Sequence, residues 1–450
     1  MVIRRLLCAL AVLCWVSQAL PAEEPDLAAQ AQAAFSAGQV ELARMLALAV
    51  LNDDPRNPTA LAVLSAVGLA TNEPAAARVV AGQSFRAATD RRGKFTAARL
   101  AARASVDLGQ SGIAKYWLRR AVQVAPDDAA RTATVRDFLA VRSQSPMRLD
   151  FGLSIKPSDN VNQGAEDRLL TIDGIPTWFY FNAATMALSG VETTANLGLR
   201  YRIAGTAAAP TEIGLRFNHR GVTLSDKARA LAPQARGADF ATSALEALIL
   251  HRRPLGPTRD LSLGLTLGKT WLAGQPYSDR ARADVALMTA HGTDSQSRFG
   301  LSVERQWLAT GSPDATALTL DFGLQHRLPG GDVVALKLEI GRTVSDDANQ
   351  EHDKRGASLR YAFGKPVAGA RLSGALSVTA RDYAVFFNGI FNDTGREDLS
   401  VAANLDLALP GLGMFGFEPV LSLEASRTRS NVSRYSGESL GLGLRIQTSF

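Results

Sequence analysis

Cysteine is almost absent from this chain. Its two cysteines, Cys8 and Cys14, both fall in the first 22 of 450 residues. That opening stretch has Arg4 and Arg5 as a basic start, then the apolar run LLCALAVLCWV, then small residues. This is the order of a secretory signal, and residues 1–22 are expected to be removed after Ala22, where acidic, polar sequence begins. Ser17-Gln18-Ala19 is a second possible cut. A membrane anchor is the alternative, but the run is too short to span. A lipoprotein signal would need a small residue before its cysteine, and both cysteines follow leucine. The mature chain would then hold no thiol, which excludes disulfides and thiolate metal sites.

A second long apolar run is also missing. No stretch after residue 25 could form a spanning helix. Charge of one sign is missing too. The formal balance of +6 falls by two to +4 when Arg4 and Arg5 leave, too mild to argue for a nucleic-acid partner. The five histidines, at 219, 251, 291, 326 and 352, show no metal-ligand spacing. GESLG (437–441) resembles a nucleophile motif around Ser439, yet that motif needs a strand, a sharp turn and a helix, and here a strand begins. GLGMFG (411–416) would have to open a helix to hold a dinucleotide, and it joins two strands instead. No enzyme, metal or cofactor is expected.

What is present divides into two periods. Residues 25–145 are Ala-rich with helical spacing. Ala43, Ala77 and Ala114 recur 34 and 37 residues apart. Gly38 and Gly109 precede the first and third of them by five positions, and Pro55 and Pro126 follow by twelve. This is similar to the tetratricopeptide repeat: a small residue where paired helices touch, glycine between them, proline closing the second. The middle copy is degenerate. An ordinary helical bundle is the alternative. Stacked repeats of this kind make a curved surface for a peptide or protein.

From Met147 the period becomes two. In GESLGLGLRIQTSF, Leu440, Leu442, Leu444 and Ile446 share one face, and Gly441, Gly443, Arg445 and Gln447 the other. Fourteen such segments run from 147–157 to 437–450, an even number with mostly short Pro/Gly turns at one end and longer polar loops at the other. That predicts a transmembrane β-barrel over 147–450, with the helices and the C-terminus on the periplasmic side. The whole is an α + β protein: tetratricopeptide-like helices, then a 14-stranded antiparallel barrel. A soluble β-sandwich is the alternative, but it leaves the terminal aromatic, Phe450, unexplained; an outward aromatic at the end resembles the signal read by the outer-membrane barrel assembly machinery.

Alternation assigns side chains to the lumen. Arg200, Arg202, Arg216, Arg282, Arg298, Lys337, Arg360, Arg381 and Arg445 fall inside, with Glu192, Glu212, Asp284, Glu304, Asp321, Glu339, Asp406 and Glu424. A selective ion pore would show a one-sided ring. This balance points instead to cross-strand ion pairs or to a conduit indifferent to cargo charge. The first long loop carries Trp178, Phe179, Tyr180 and Phe181 in a row. They form either an interfacial belt or plug, or an exposed contact for a partner, with Trp178, Phe179 and Phe181 as the candidate residues.

The junction APDDAARTATVRDFLAVRSQSPMRLDFGLSIKPSDNVNQGA joins the last repeat, an amphipathic helix, the first strand and an Asn-rich element with Asp159, Asn160 and Asn162. With the repeat and barrel order, it resembles the surface lipoprotein assembly modifier family, Slam. The resemblance implies an outer-membrane protein whose periplasmic repeats receive an exported protein or lipoprotein cargo and whose barrel passes it to the surface. A polysaccharide exporter and a passive porin or receptor remain as rival classes.

Overall fold

The computed structural model describes residues 26–309, 311–387, 391–392, 394–414 and 417–448. The expected cleavage at Ala22 and the terminal Phe450 lie outside them. Seven helices come first: α1 (Leu27–Ser36), α2 (Val40–Asp53), α3 (Pro58–Ala70), α4 (Pro74–Ala87), α5 (Arg91–Asp107), α6 (Ser111–Gln123) and α7 (Asp128–Gln144). Their starts follow local chemistry. Asp26, Asn57, Asp90 and Asp127 each accept a backbone N–H from the first turn of the helix that follows. Pro58 and Pro74 stand where a missing N–H costs nothing.

The repeat is visible in the turns. Gly38 and Gly109 take φ of +77° and +69° in the turns that follow α1 and α5. Five residues before Ala77 the glycine is missing, and Asn72 takes its place at φ +60°. Asparagine is among the non-glycine residues that best tolerate this region, so the degenerate copy keeps its geometry. Ala43, Ala77 and Ala114 are all buried. A Cβ built on Gly68 of α3 would lie 3.3 Å from the Cβ of Ala77 on α4. Helices this close leave no room for more, and Ala77→Leu is expected to destabilise the helical unit by about 1–3 kcal/mol. A thermal melt of the full chain followed by helical circular dichroism checks this, and an unchanged midpoint would refute the close packing.

The chain forms two compact units. One holds residues up to Gln110 plus Val124–Pro126, and the other holds Ser111–Gln123 and Asp127 onward. In this division α6 and α7 fall in the same unit as the barrel strands.

Barrel strand β1 (Met147–Ser158) leads into a loop with a small hairpin, β2 (Leu169–Ile172) and β3 (Ile175–Tyr180). Then come β4 (Gly190–Gly205), β5 (Pro210–Leu224), β6 (Thr242–Pro254), β7 (Arg259–Leu272) and β8 (Gln275–His291). These are followed by β9 (Ser295–Leu308), β10 (Ala315–Arg327), β11 (Val333–Ser345), β12 (His352–Ala362) and β13 (Arg371–Tyr383). β14 (Phe386–Phe387) and β15 (Phe391–Asn392) make a second small hairpin. β16 (Arg396–Ala408), β17 (Phe417–Ser430) and β18 (Gly437–Thr448) complete the wall. Fourteen strands close a barrel, every neighbour antiparallel, with β18 returning to β1. Closure leaves no unpaired edge, as lipid requires.

Leu263, Leu265, Leu267, Leu338, Ile340, Leu440 and Leu442 point outward and are exposed. In a sandwich these faces would be covered, and a water-exposed band of this kind would aggregate. One end carries short turns, such as 206–209 and 292–294. The other carries the long loops. There β7 and β8 depart from expectation. They meet in a two-residue turn, Ala273-Gly274, with φ of +52° and +77°, the mirror-image turn whose twist suits a hairpin.

Candidate functional site

The lumen wall carries a series of ion pairs, most of them cross-strand. Arg200 lies 3.6 Å from Asp150, and Arg216 lies 3.4 Å from Glu246, which also pairs with Arg280. Lys337 lies 2.8 Å from Glu339, which Lys354 also reaches. Arg445 and Asp406 are 3.2 Å apart, and Ser422 donates to the same carboxylate at 2.6 Å. Arg298 pairs with Asp321, and Arg371 with the fully buried Glu418. Arg360 donates to Ser373 at 3.2 Å. Glu304 stands opposite Arg282 in the ladder. Sequence reading missed Arg148, Asp150, Lys156, Arg220, Glu246, Arg280, Lys354, Arg371 and Glu418. Carrying the strand parity outward to each strand end would have found them.

Toward the long-loop end, a cavity of about 510 Å³ is lined by Lys156, Glu192, Arg220, Arg396 and Asp398. Lys156 bridges Glu424 at 2.9 Å and Glu192 at 3.9 Å, and Arg220 reaches Glu192 at 2.9 Å. Gln163 and Gly164 of the first loop line the same cavity as the wall residues Ser400 and Ser426. The loop therefore folds in over the lumen.

The Asn-rich element holds that loop. Asp159 accepts from the Leu440 N–H at 3.1 Å and ties the loop to the closing strand. Asn160 is buried, donating to the Gly164 carbonyl and accepting from its N–H. Asn162 donates to the carbonyls of Ala184 and Met186 and accepts from the Leu188 N–H at 2.9 Å. These three positions shape the loop base.

The loops pack on one another as a cap. Ala165, Leu170, Phe181, Phe386 and Val432 form a buried apolar cluster drawn from three loops. Val161, Leu188 and Leu224 form a second with Ala228 of α8 (Asp226–Leu231) and with Ala232, which follows the helix. Asp173 accepts from Asn431 at 3.0 Å and from Thr394 at 2.7 Å. Phe181 is 4% exposed, so of the two readings of this aromatic run it belongs to the loop's own packing as core of the cap, not to an external contact. The chain leaves β3 just before it, and the side chain turns into the cluster. Trp178, 78% exposed, and Tyr180 remain outside, with Phe179 at the margin.

Arg396 is the tightest joint. It is buried, 3.6 Å from the Tyr383 ring centre and 3.7 Å from that of Tyr435, and pairs with Asp398 at 3.2 Å.

At the short-turn end, α6 and α7 are bolted to the barrel. Lys115 donates to the Ser145 hydroxyl and the Met147 carbonyl, both at 3.0 Å. Arg202 donates to the Gln144 carbonyl at 3.0 Å. The Arg119 guanidinium lies over Phe138 and Phe417, 5.2 and 5.4 Å from their centres. Burial holds the Lys115 ammonium below the ordinary lysine range, and Arg119, Arg142 and Arg148 add to this.

Within the helical unit, the first helix of each pair lines a groove of about 450 Å³, with Gln32, Phe35, Val63, Arg92 and Leu100 among its walls. Asp90 stands at its edge. The Gly93 N–H that caps α5 holds its carboxyl below the usual range.

Ser439 is no nucleophile elbow. It lies within β18, its hydroxyl 3.3 Å from that of Ser158.

No family profile and no curated relative matches the chain. Among solved structures, an OmpT loop-deletion mutant, an outer membrane protein of Vibrio cholerae, is similar over 67% of this chain and 99% of its own, at 9% identity and a TM-score of 0.35. CdiB from Acinetobacter baumannii matches 66% of this chain and 60% of its own, at 11% identity and a TM-score of 0.34. The first tetratricopeptide domain of human RPAP3 matches 26% of this chain and 90% of its own, at 17% identity and a TM-score of 0.24.

Proposed function

We propose that this protein is an outer-membrane translocator of the surface lipoprotein assembly modifier type. Its helices receive a protein or lipoprotein cargo in the periplasm, and its barrel passes the cargo to the cell surface. The observation that carries this reading is the barrel itself. One mouth is bolted to the last helices of a repeat array, and loops held by Asp159, Asn160 and Asn162 fold in over the other. A passive pore has no need of either feature. The charge-paired wall suits a conduit that does not select by charge, and disfavours a glycan exporter with a one-signed lumen. Short turns face the periplasm in barrels of this kind, which supports a periplasmic place for the helices. The barrel assembly machinery would insert the chain. The role is conduction rather than catalysis, and needs no cofactor.

Deleting the gene in its host and shaving intact cells with protease tests this. Loss of a surface-exposed protein that remains present inside the cell is expected. An unchanged surface protein profile would sink the proposal.

A further inference from the structure

At the short-turn end, several arginines turn toward the lumen and are matched there. Arg148 lies 4.0 Å from Glu212, Arg445 lies 3.2 Å from Asp406, and Arg371 pairs with Glu418. Arg253 and Arg259 differ. They share the outward parity of Ile249, Leu263 and Leu265, which are all exposed. Both arginines are exposed. Neither has an ion pair or a side-chain hydrogen bond among the described residues.

The β6–β7 hairpin brings them together. Arg253 stands opposite Leu261, and Arg259 is two residues nearer the turn. That makes the two arginines diagonal neighbours, about 7–8 Å apart. The turn between them, Pro254 to Thr258, is uncharged. The outward positions beside them carry hydroxyls: Thr211, hydrogen-bonded to His251 at 2.9 Å, and Thr289, opposite Arg259. No carboxylate joins them on this face. Glu212 and Asp260 have lumen parity, and Asp294 belongs to the next turn, where Thr293 donates to it at 3.0 Å.

Toward the middle of the barrel the wall is apolar, and it dips. Leu215, Ala247 and Leu267 form one row across β5, β6 and β7, and Ile213, Ile249 and Leu265 form the row nearer the arginines. Ala247 is the small side chain of the six, and around it lies a groove of about 440 Å³. From Arg253 to Ala247 along a strand tilted by about 40° is about 15 Å of height, half of the roughly 30 Å hydrocarbon core. Farther on, Ser243 and Trp271 face each other in the ladder, with the aromatic at the far edge of the band. From Arg253 to Ser243 the same geometry gives about 26 Å, close to the height of about 25 Å usual for the apolar band of such barrels. The arginines therefore stand at one head-group level, and the groove reaches from there to the midplane.

We infer that this face binds one phosphatidylglycerol molecule of the periplasmic leaflet. The phosphodiester meets Arg253 and Arg259, and an acyl chain runs over Ile249 into the groove at Ala247. The inference rests on the membrane reading above, in which the short turns face the periplasm and the leaflet at this rim is the phospholipid one. Two arginines this close suit a single phosphate. Phosphatidylethanolamine offers the same phosphate with an added ammonium, which meets two cations here and no outward carboxylate.

The test is native mass spectrometry of the full-length protein purified with equal parts of phosphatidylglycerol, phosphatidylethanolamine and phosphatidylcholine. Preferential retention of phosphatidylglycerol is expected. The double variant Arg253→Ala/Arg259→Ala should lower that retention about tenfold and remove the preference. Arg252→Ala deletes the adjacent charge from the lumen side of the same strand and should change neither. Ala247→Trp fills the groove and should lower retention of all three lipids severalfold. Equal retention of the three lipids, a preference for phosphatidylethanolamine, or indifference to the double variant or to Ala247→Trp would each overturn the inference. So would Arg252→Ala acting as strongly as the double variant, since net charge alone would then explain the retention. Heat-dependent gel mobility reads insertion separately. A wild-type barrel that does not insert counts against the membrane reading, whereas an inserted barrel without lipid preference overturns only the phosphatidylglycerol site.

Discussion

Replacing residues 163–187 with a Gly-Gly link is expected to raise single-channel conductance in planar bilayers several-fold. The join is built into the fold. Asn162 already accepts from the Leu188 N–H at 2.9 Å, and the Val161 N–H donates to the Leu188 carbonyl at 2.8 Å. Cutting there leaves every barrel strand and these two bonds in place, while Asn160 loses Gly164 and Asn162 loses Ala184 and Met186 as partners. It removes Gln163 and Gly164 from the cavity wall. It also removes Leu170 and Phe181, which hold the first loop against Phe386 and Val432. Those two loops lose their cover and become freer to move. The wild-type chain should conduct poorly and intermittently, and the excised chain steadily. Both should show the heat-dependent gel mobility of a folded barrel. Equal, large, steady conductance from the two proteins would show that the loops do not obstruct the lumen, and would favour a simple porin.

Arg396→Ala should be the most damaging single substitution at the long-loop end. The arginine side chain is only 6% exposed. Its removal leaves Asp398, also buried, without its ion partner. Stranding one member of a buried pair costs about 3–5 kcal/mol. Loss of two stacked tyrosine faces adds about 1–2 kcal/mol. Tyr383 ends β13 and Tyr435 belongs to the loop between β17 and β18, so the arginine also staples two strand ends together. Arg396→Lys keeps the charge but loses the flat stacking surface, and should fall between alanine and wild type. The midpoint of the heat-dependent mobility shift orders the three proteins. If the alanine and wild-type proteins share a midpoint, the joint contributes nothing.

Much of the architecture was legible because two periods are written openly in the chain. Strand parity in β18, β7 and β11 follows directly from alternating leucines, since successive side chains must face opposite sides of a sheet. The lumen positions of Arg200, Arg216, Lys337 and Arg445 come from the same parity. The repeat was legible wherever glycine marked the turn, and hidden at Asn72, which does the same work without the expected letter. The site was less legible. Phe181 and Trp178 look equivalent in DGIPTWFYFN, yet one is core and the other is surface. Asp159, Asn160 and Asn162 read as a turn, but their partners lie as far away as Leu440.

By itself, the sequence determined the helix-then-barrel order, the strand number and the inward or outward sense of each strand. These depend on local periodicity, and local periodicity is a property of neighbours in the chain. Only the tertiary structure decided which charges meet, that α6 and α7 belong with the barrel, that three loops pack into a cap, and that β5, β6 and β7 frame a groove at Ala247. Most of these join residues tens to hundreds of positions apart. Their proximity is set by register and closure of the whole wall, which no local pattern encodes.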